Sequence, residues 1–358
     1  MENMLVTGGC GFIGANFIRY LLDESDFKGR IINVDSLTYA GNPENLTDIE
    51  GKYGDRYVFV KGDICDRERM NELFDAYRLD SVCHFAAESH VDRSIVGPDA
   101  FIRTNIVGTF SLLEAARGHQ HQVELFHHIS TDEVFGSLGA EGLFTETTPY
   151  QPNSPYSASK ASSDHLVRAY HETYGLPVTI SNCSNNYGPY QFPEKLIPLI
   201  IQNAMEDKSL PIYGDGLNVR DWLYVRDHCT AVWTIMKGGK RGETYNIGGN
   251  TEMENIRIVE TLCDLIDHLP AMTGKPSRRT LIAYVKDRLG HDRRYAINAG
   301  KISTELGYKP AESFETGIAK TLTWYLENEE WWRRIMDGSY RDWIGQNYVQ
   351  RPQYSLKQ

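Results

Sequence analysis

The chain has 358 residues, of which 41% are hydrophobic and 24% charged, an ordinary composition for a globular protein. A net charge of −11 argues against a broad nucleic-acid-binding face, although it does not exclude a local basic pocket. The six cysteines form no CxxC pair, so neither a metal site nor a disulfide framework is expected. No apolar run is long enough to span a bilayer, and the first residues do not resemble a signal peptide. We therefore expect a reduced, cytoplasmic protein.

The first half of the chain alternates short apolar runs with amphipathic stretches. Strands are predicted at MLVTG (4–8), RIINVD (30–35), YVFVKGD (57–63), SVCHFAA (81–87) and ELFHHIS (124–130). Helices are predicted at GANFIRYLLDES (14–25), RERMNELFDAY (67–77), AFIRTNIVGTFSLLEAARG (100–118) and SPYSASKASSDHLVRAYHETYG (154–175). Near-continuous apolar strands separated by helices predict an α/β fold with a doubly wound parallel sheet, covered on both faces. We interpret residues 1–185 as one domain built on this sheet.

Beyond residue 186 the predicted elements become shorter, and Pro, Gly, Trp and Tyr are more frequent. We interpret residues 186–358 mainly as a smaller, mixed α/β domain that faces the substrate, with later segments returning to the first domain. The stretch EEWWRRIMDGSYRDWIGQNY (329–348) predicts an amphipathic helix.

A glycine-rich loop, TGGCGFIG, follows the first predicted strand and opens the first helix. Its glycines at 8, 11 and 14 allow a tight turn and a close approach of the backbone to a pyrophosphate. Asp35 ends the second strand about 20 residues on, where the acid that binds a ribose is expected. This context predicts a dinucleotide site and favours NAD over NADP, and a simple glycine turn is the alternative. Asp63 ends the third strand, where it can reach an adenine or cap a turn.

Tyr156 and Lys160 are spaced i, i+4 and so share one face of a predicted helix. A cationic lysine beside a phenol stabilises the phenolate and lowers its pKa. The phenolate can then remove a proton from a hydroxyl group while hydride leaves the same carbon. Either Ser130 or Thr131 can supply the hydroxyl that aligns the substrate. Surface residues at this spacing are the alternative interpretation.

Two adjacent acids, Asp132 and Glu133, follow the fifth predicted strand in the sequence STDEVFG. Once C4 of a sugar is a ketone, the hydrogen at C5 is acidic. Glu133 can remove that hydrogen while a protonated Asp132 gives its proton to the departing C6 hydroxyl group. Such opposite roles need surroundings that separate the two pKa values. In the alternative interpretation, one acid caps the turn and the other faces solvent.

These motifs resemble those of the extended short-chain dehydrogenase/reductase family, over nearly the whole chain. STDEVFG, YSASK, FAAESHVDRSI, SNNYGPYQFPEKLIP, RDWLYV and DRLGHDRRYAIN resemble its members that dehydrate dTDP-glucose to dTDP-4-keto-6-deoxyglucose, with NAD regenerated in each turnover. The resemblance implies that Thr131, Asp132, Glu133, Tyr156 and Lys160 are catalytic. The implied NAD site comprises Gly8, Gly11, Phe12, Ile13, Gly14, Asp35, Ser36, Leu37, Thr38, Asp63, Ile64, Ala86, Ala87, Ser89, Thr104, Tyr156, Lys160 and Asn186. The implied nucleotide-sugar site comprises His90, Thr131, Asn185, Lys195, Leu196, Pro211, Tyr213, Arg220, Asn255, Arg288 and His291.

The chain departs from the family pattern at two positions. Leu289 stands where proline is usual, which predicts a looser loop, and Phe135 stands where tyrosine is common. Alternatives are a dehydratase or epimerase acting on a UDP-, CDP- or GDP-sugar, and a non-enzymatic NAD sensor. The tandem acids favour dehydration. The resemblance also implies a homodimer.

Overall fold

The structure is a computed structural model, and it describes residues 1–336. The strands are β1 (Asn3–Thr7), β2 (Arg30–Asp35), β3 (Tyr57–Lys61), β4 (Ser81–His84), β5 (Leu125–Thr131), β6 (Val178–Cys183), β7 (Asn185–Tyr187), β8 (Leu210–Tyr213), β9 (Val219–Tyr224), β10 (Thr244–Ile247), β11 (Glu252–Glu254) and β12 (Ile282–Val285). The α-helices are α1 (Phe12–Asp23), α2 (Thr47–Tyr53), α3 (Arg67–Tyr77), α4 (Val91–Val96), α5 (Asp99–Phe101), α6 (Thr109–Gly118), α7 (Pro155–Tyr174), α8 (Leu196–Met205), α9 (Val225–Gly238), α10 (Asn255–Asp267), α11 (Gly300–Leu306), α12 (Phe314–Glu327) and α13 (Glu329–Ile335). A π-helical segment, Ile102–Gly108, joins α5 to α6, and short 3₁₀ helices lie at Pro43–Leu46, Gly54–Arg56, Asp132–Phe135, Pro270–Met272 and Arg278–Leu281.

The large sheet has seven strands in the order β3-β2-β1-β4-β5-β6-β10, and all its pairs are parallel. This confirms the predicted doubly wound parallel sheet. The strand order reverses between β1 and β4, and open sheets of this kind bind ligands outside the carboxyl ends of the strands at such a point. The bounds of β2 match the predicted run, whereas β4 ends at His84 and residues 85–87 form a loop.

β5 lies in the middle of one half of this sheet, and all seven of its residues are buried. The polar His127 is accommodated there because its two ring nitrogens lie 2.8 Å from Thr179 Oγ1 and 3.1 Å from Ser181 Oγ, both on β6. Burial lowers the pKa of His127 to about 3, so the ring is neutral. β5 therefore delivers its last residues rigidly to the edge of the sheet where ligands bind.

A smaller unit contains the sheet β11-β9-β7 and the parallel pair β12-β8. Its core includes Trp222, Ile258 and Tyr325. The chain returns to the large sheet at β10, which pairs with β6, and α9 packs in the same core as α1. The boundary between residues 185 and 186 stays a prediction.

Helix α7 begins with a capping box, in which the hydroxyl of Ser154 accepts from the Ser157 N–H and that of Ser157 accepts from the Ser154 N–H. Pro155 occupies the first turn, and Gly175 ends the helix with φ +71°. These signals set the start of α7, so Tyr156 lies in its first turn, beside the end of β5.

Within residues 1–336, no helix combines the length and apolar character needed to cross a bilayer. The predicted C-terminal amphipathic helix is present as α13 (Glu329–Ile335), and the rest of that prediction, residues 337–348, lies outside the described residues.

Candidate active site

The glycine-rich loop between β1 and α1 is a tight backbone cradle. Gly8 has φ +71°, and a Cβ there would lie 2.7 Å from the backbone of Ala86. A Cβ at Gly14 would lie 2.3 Å from the carbonyl oxygen of Gly8. Larger residues at these two positions would separate the loop from its neighbours. The cradle therefore fits the close approach of a pyrophosphate to the N-terminus of α1.

The carboxylate of Asp35, at the end of β2, connects the glycine-rich loop to the segment that follows β2. One carboxylate oxygen accepts from the Cys10 N–H at 2.9 Å, and the other accepts from the Leu37 N–H at 2.8 Å. Burial raises the pKa of Asp35, and these two hydrogen bonds act in the opposite direction. The carboxylate thus orders the loop, and it is also placed to receive ribose hydroxyl groups.

The predicted NAD-binding residues come together at the carboxyl ends of the parallel strands. They follow β1 (Gly8, Gly11, Phe12, Ile13, Gly14), β2 (Asp35, Ser36, Leu37, Thr38), β3 (Asp63, Ile64) and β4 (Ala86, Ala87, Ser89), with Thr104 on the π-helical segment and Asn186 on β7. Asp63 accepts from the Cys65 N–H at 2.9 Å, so it does cap a turn. Asn186 is oriented by His228, whose Nδ1 lies 2.9 Å from its amide oxygen.

Asn105, which sequence reasoning missed, links the cofactor loop to the catalytic helix. Its side chain accepts from the Glu88 N–H at 2.8 Å and donates to the Glu88 carbonyl oxygen at 3.0 Å. It also donates to Ser159 Oγ on α7 at 2.8 Å. The π-helical segment carries this residue, and π-bulges are frequent at functional sites. No pattern in the sequence signals that local widening of the helix.

Tyr156 and Lys160 are both buried on one face of α7. Lys160 Nζ donates to the Ile129 carbonyl oxygen at 2.8 Å, which directs its ammonium group toward the end of β5. The pKa of Tyr156 lies well above the usual value, because of burial and then the charge of Glu133. That direction is opposite to the sequence expectation, because burial and the neighbouring acids dominate the pKa of the phenol.

The two candidate hydroxyl groups, those of Ser130 and Thr131, have different surroundings in the structure. Ser130 Oγ donates to Asp164, a residue of α7, at 2.7 Å. Thr131 Oγ1 donates to Asp132 Oδ1 at 3.4 Å and accepts from the Glu133 N–H at 3.3 Å, and it acts to lower the pKa of Tyr156. Thr131 is therefore the hydroxyl placed beside the acids and the phenol.

The paired acids begin a 3₁₀ turn directly after β5, and their surroundings differ. Asp132 is 2% exposed, and one of its oxygens has no hydrogen-bond partner among residues 1–336. Burial, and then Glu133, raise its pKa well above the usual value. Burial also raises the pKa of Glu133, but the cations Arg288 and Arg220 counteract it. Asp132 is shielded from solvent, whereas Glu133 is half-buried and lines the cavity. Asp132 is the acid better suited to carry a proton, and the division of roles stays a prediction.

A cavity opens beside Glu133 between the large sheet and the smaller unit. Ten of the eleven predicted nucleotide-sugar residues line it, namely His90, Asn185, Lys195, Leu196, Pro211, Tyr213, Arg220, Asn255, Arg288 and His291. The eleventh, Thr131, lies two residues from Glu133. The lining also includes Asp92, Gln191, Glu194 and Trp222, which were not predicted. Glu194 is adjacent to Lys195 in the chain and Asp92 is two residues from His90, but a carboxylate in a site for a diphosphate was not expected.

Three buried or half-buried cations give this cavity its charge. Arg220 donates to the carbonyl oxygens of Val219 at 2.7 Å and Asp292 at 2.9 Å, and its guanidinium lies 4.2 Å from the centre of the Tyr295 ring. Lys195 Nζ donates to the Ser89 carbonyl oxygen at 3.2 Å. Arg288 Nη1 lies 3.8 Å from the carboxylate of Asp92. Among residues 1–336, the ion pair of Arg288 with Asp92 is the shortest that these three cations form. Their charges therefore remain available to a diphosphate.

The two departures from the family pattern lie in different environments. Leu289 is 73% exposed on the loop beside Arg288, and the next residue, Gly290, has φ +63°. Phe135 is buried, with its ring 5.0 Å from that of Phe144 and 5.2 Å from that of Tyr150. Neither side chain lines the cavity.

Comparisons with known proteins agree with this geometry. A family model described as GDP-mannose 4,6 dehydratase matches residues 5–321. The dTDP-glucose 4,6-dehydratase of Shigella flexneri is 56% identical over 364 residues, covering 97% of this chain and 99% of that protein. The chain belongs to the dTDP-glucose 4,6-dehydratase family. Solved members include the enzyme of Bacillus anthracis str. Ames in complex with NAD, at 46% identity and a TM-score of 0.84, covering 94% of this chain and 100% of that one.

A second solved member of the dTDP-glucose 4,6-dehydratase family, from Streptomyces venezuelae, has NAD and TYD bound. It is 46% identical with a TM-score of 0.86, and the match covers 93% of this chain and 100% of that one. The predicted family and fold are thus confirmed. The roles of the individual site residues stay predictions, which the arrangement of the cavity supports.

Proposed function

We propose that the protein converts dTDP-glucose into dTDP-4-keto-6-deoxyglucose and water. One observation carries this proposal: two adjacent acids with unequal surroundings, a buried Asp132 and a half-buried Glu133 that lines the cationic cavity, lie at the end of β5 near Tyr156. A reaction that only oxidises and reduces C4 needs the phenol and the lysine. An acid and a base beside them supply what the loss of water requires.

The backbone cradle at Gly8 and Gly14 and the carboxylate of Asp35 fit NAD. When bound, NAD would accept the hydride from C4 and return it to C6 within the same turnover. Lys160 would hold the ribose hydroxyl groups. The cradle and the predicted residues after β2 and β3 would hold the pyrophosphate and the adenosine.

The proton transfers of the reaction are carried out by different residues of this chain. Tyr156 takes the proton of the C4 hydroxyl group, which Thr131 orients, and Lys160 supplies the positive charge that this buried phenol needs. The resulting C4 ketone makes the C5 hydrogen acidic, and Glu133 removes it. Asp132, whose burial keeps it protonated, gives its proton to the C6 hydroxyl group, and water leaves. Glu133 returns its proton to C5 as C6 is reduced.

The diphosphate would lie against Arg220, Arg288 and Lys195. Guanidinium groups bind such anions through paired hydrogen bonds, and a buried site strengthens the attraction. These cations explain how a chain with a net charge of −11 can bind an anionic substrate.

The test is mass spectrometry of dTDP-glucose incubated with the purified protein, without added NAD. We expect the loss of one water per sugar, which would also show that the cofactor remains bound during purification. UDP-, CDP- and GDP-sugars are tested in parallel, with the Asp132→Asn variant as the matched control. An unchanged mass for dTDP-glucose even with added NAD, together with turnover of another nucleotide sugar, would overturn the choice of substrate.

We further propose that the protein acts as a homodimer in the cytoplasm. Val96, Ile102, Val107 and Phe110 are 40–81% exposed along α4, the π-helical segment and α6, and a second copy of the chain can cover them. The free cysteines, of which all but Cys65 are buried, suit a reducing compartment. Sedimentation of Phe110→Glu should show a monomer, while Leu143→Glu, another exposed apolar position, should sediment like the wild type. An unchanged dimer in Phe110→Glu would contradict this interface, and cell fractionation tests the compartment.

A further inference from the structure

The catalytic helix α7 carries a buried carboxylate that the proposed mechanism does not use. Asp164 follows Lys160 by one turn of α7, and it is 2% exposed. A buried acid of this kind is costly unless other groups satisfy it. Its surroundings therefore indicate what it does.

Two hydroxyl groups and one imidazole from other elements surround this carboxylate. Asp164 Oδ2 accepts from Ser130 Oγ at 2.7 Å and from Tyr150 Oη at 3.0 Å. Asp164 Oδ1 lies 3.2 Å from His128 Nε2. Burial raises the pKa of Asp164 to about 6, while the two hydroxyl donors stabilise its ionised form. The carboxylate is therefore charged at neutral pH. The anion is thus held in one position by β5 and by the segment before α7.

His128 connects this anion to the catalytic lysine. The ring is completely buried, and burial and then Lys160 lower its pKa well below the usual value, so it is neutral. Its Nδ1 has no hydrogen-bond partner among residues 1–336, whereas Nε2 faces Asp164. A neutral imidazole has a single N–H, which we assign to Nε2, the ring nitrogen that faces the Asp164 carboxylate. The contact is electrostatic, since Asp164 Oδ1 has no hydrogen-bond partner among residues 1–336. Lys160 Nζ lies 3.5 Å from the same nitrogen.

Of the titratable groups that influence Lys160, Asp164 is the one that carries a negative charge. His84 on β4 and His128 on β5 are both neutral, since burial lowers their pKa values well below the usual one. Cys183 on β6 is a neutral thiol, because burial raises its pKa to about 12. Burial lowers the pKa of Lys160 itself, and the attraction of Asp164 is the largest influence in the opposite direction.

We propose that Asp164 is a positioning residue that, together with His128, keeps Lys160 charged and directed toward Tyr156. The proposal rests on the proposed function, in which the ammonium group of Lys160 stabilises the phenolate. Asp164 touches neither substrate nor cofactor in this account. The Ile129 carbonyl oxygen accepts one N–H of Lys160, and a protonated His128 Nε2 accepts none, which leaves the other N–H groups of Lys160 for Tyr156 and the ribose.

The test compares the wild type with Asp164→Asn, which keeps the shape of the side chain and removes its charge. The titration of Lys160 is followed by the NMR signal of its ¹³C-labelled ε-carbon, assigned by its absence in Lys160→Met. We expect the lysine to lose its proton at a pH lower by roughly 1–3 units, the usual effect of losing a nearby opposite charge. The alkaline limb of the pH–rate profile of C4 oxidation should move in the same direction.

Asp227→Asn is the matched control, because Asp227 is also buried and accepts two backbone N–H groups, those of Ala311 and Glu312. It should leave the Lys160 titration unchanged. A double variant, Ser130→Ala with Tyr150→Phe, removes both hydroxyl donors and should shift the titration in the same direction by a smaller amount. It serves as the test where Asp164→Asn does not fold.

An unchanged Lys160 titration in the folded Asp164→Asn protein, or in the folded double variant where the former does not fold, would overturn the proposal. So would a C4 oxidation rate that falls equally at every pH, which a purely structural role predicts. The lysine titration requires no turnover. It therefore tests the positioning of Lys160 even where the mass measurement refutes dehydration of dTDP-glucose.

Discussion

At the two ends of the cavity, acidic and basic side chains have different surroundings. At the catalytic end, Asp132 is buried beside a second acid, and its pKa rises. At the other end, Arg220 and Lys195 are held mainly by carbonyl oxygens, so their charges stay available to a ligand. Glu133 lies between the two ends and is influenced by both. The surroundings of each side chain along the cavity thus determine whether it serves as a proton donor, a base or an anion site.

The largest expected effect concerns the acid pair. Asp132→Asn and Glu133→Gln should each lower product formation by roughly 10²–10⁴-fold, the usual contribution of a positioned acid or base. C4 oxidation should be retained, because neither acid takes part in it. Rapid mixing with dTDP-glucose should therefore show reduced cofactor accumulating in both variants.

Glu252→Gln is the control for this prediction, since Glu252 forms its ion pair with Arg294 and does not line the cavity. Its activity should match that of the wild type. Full dehydration activity in either Asp132→Asn or Glu133→Gln would refute the division of roles between the two acids.

The next effect concerns the cationic end. Arg220→Met should raise the KM for dTDP-glucose by roughly 10–100-fold, because hydrogen bonds to charged groups contribute about 1.5–3 kcal/mol. Arg293→Met is the matched control, as this arginine is half exposed and pairs with Asp215. Steady-state kinetics should show no change in KM for the control. Equal KM values for Arg220→Met and the wild type would place the diphosphate elsewhere.

A smaller effect concerns stability. The folded protein holds the pKa of Asp132 above its unfolded value, so protonated Asp132 contributes stability that is lost as the pH rises through the folded pKa. Asp132→Asn has no such proton to lose, and its Tm should exceed that of the wild type by roughly 2–4 °C at neutral pH. The difference should vanish below about pH 4, near the unfolded pKa. Calorimetry over this range would contradict the account if the variant melted below the wild type at neutral pH.

The smallest effect concerns Phe135, next to the acids in the chain. Its buried ring packs against Phe144 and Tyr150, so a hydroxyl added by Phe135→Tyr has to be accommodated in an apolar contact. We expect a somewhat lower Tm from overpacking, with kcat unchanged. A strong gain in kcat would mean that the acids need a hydroxyl group that this chain lacks.

The first half of the fold was predictable because its signals are local. Alternating apolar runs and helices give the parallel sheet, and the start of α7 follows from Ser154 and Pro155. The glycine loop and the Tyr156–Lys160 spacing are also short-range patterns. Even so, the pKa of Tyr156 was expected to fall, and its direction depends on burial and on Glu133, which spacing alone does not reveal.

The residues that line the cavity were harder to predict from local sequence patterns. Arg220 and Arg288 are far apart in the sequence, and only a family resemblance placed them together. Glu194 and the π-helical position of Asn105 were missed, because no local pattern signals either. Asp164, in contrast, follows Lys160 at i+4, so its place on the catalytic face could have been read from the helix period.

The most direct test of the central claim follows the hydrogen at C4 of the sugar. The protein is incubated with dTDP-glucose deuterated at C4, and the product is analysed by NMR. The account predicts that the deuterium appears at C6 of a 4-keto-6-deoxy sugar, because the hydride removed from C4 returns within the same active site. Deuterium that remains at C4 of an epimer, or a 4-keto-6-deoxy product without deuterium at C6, would contradict it.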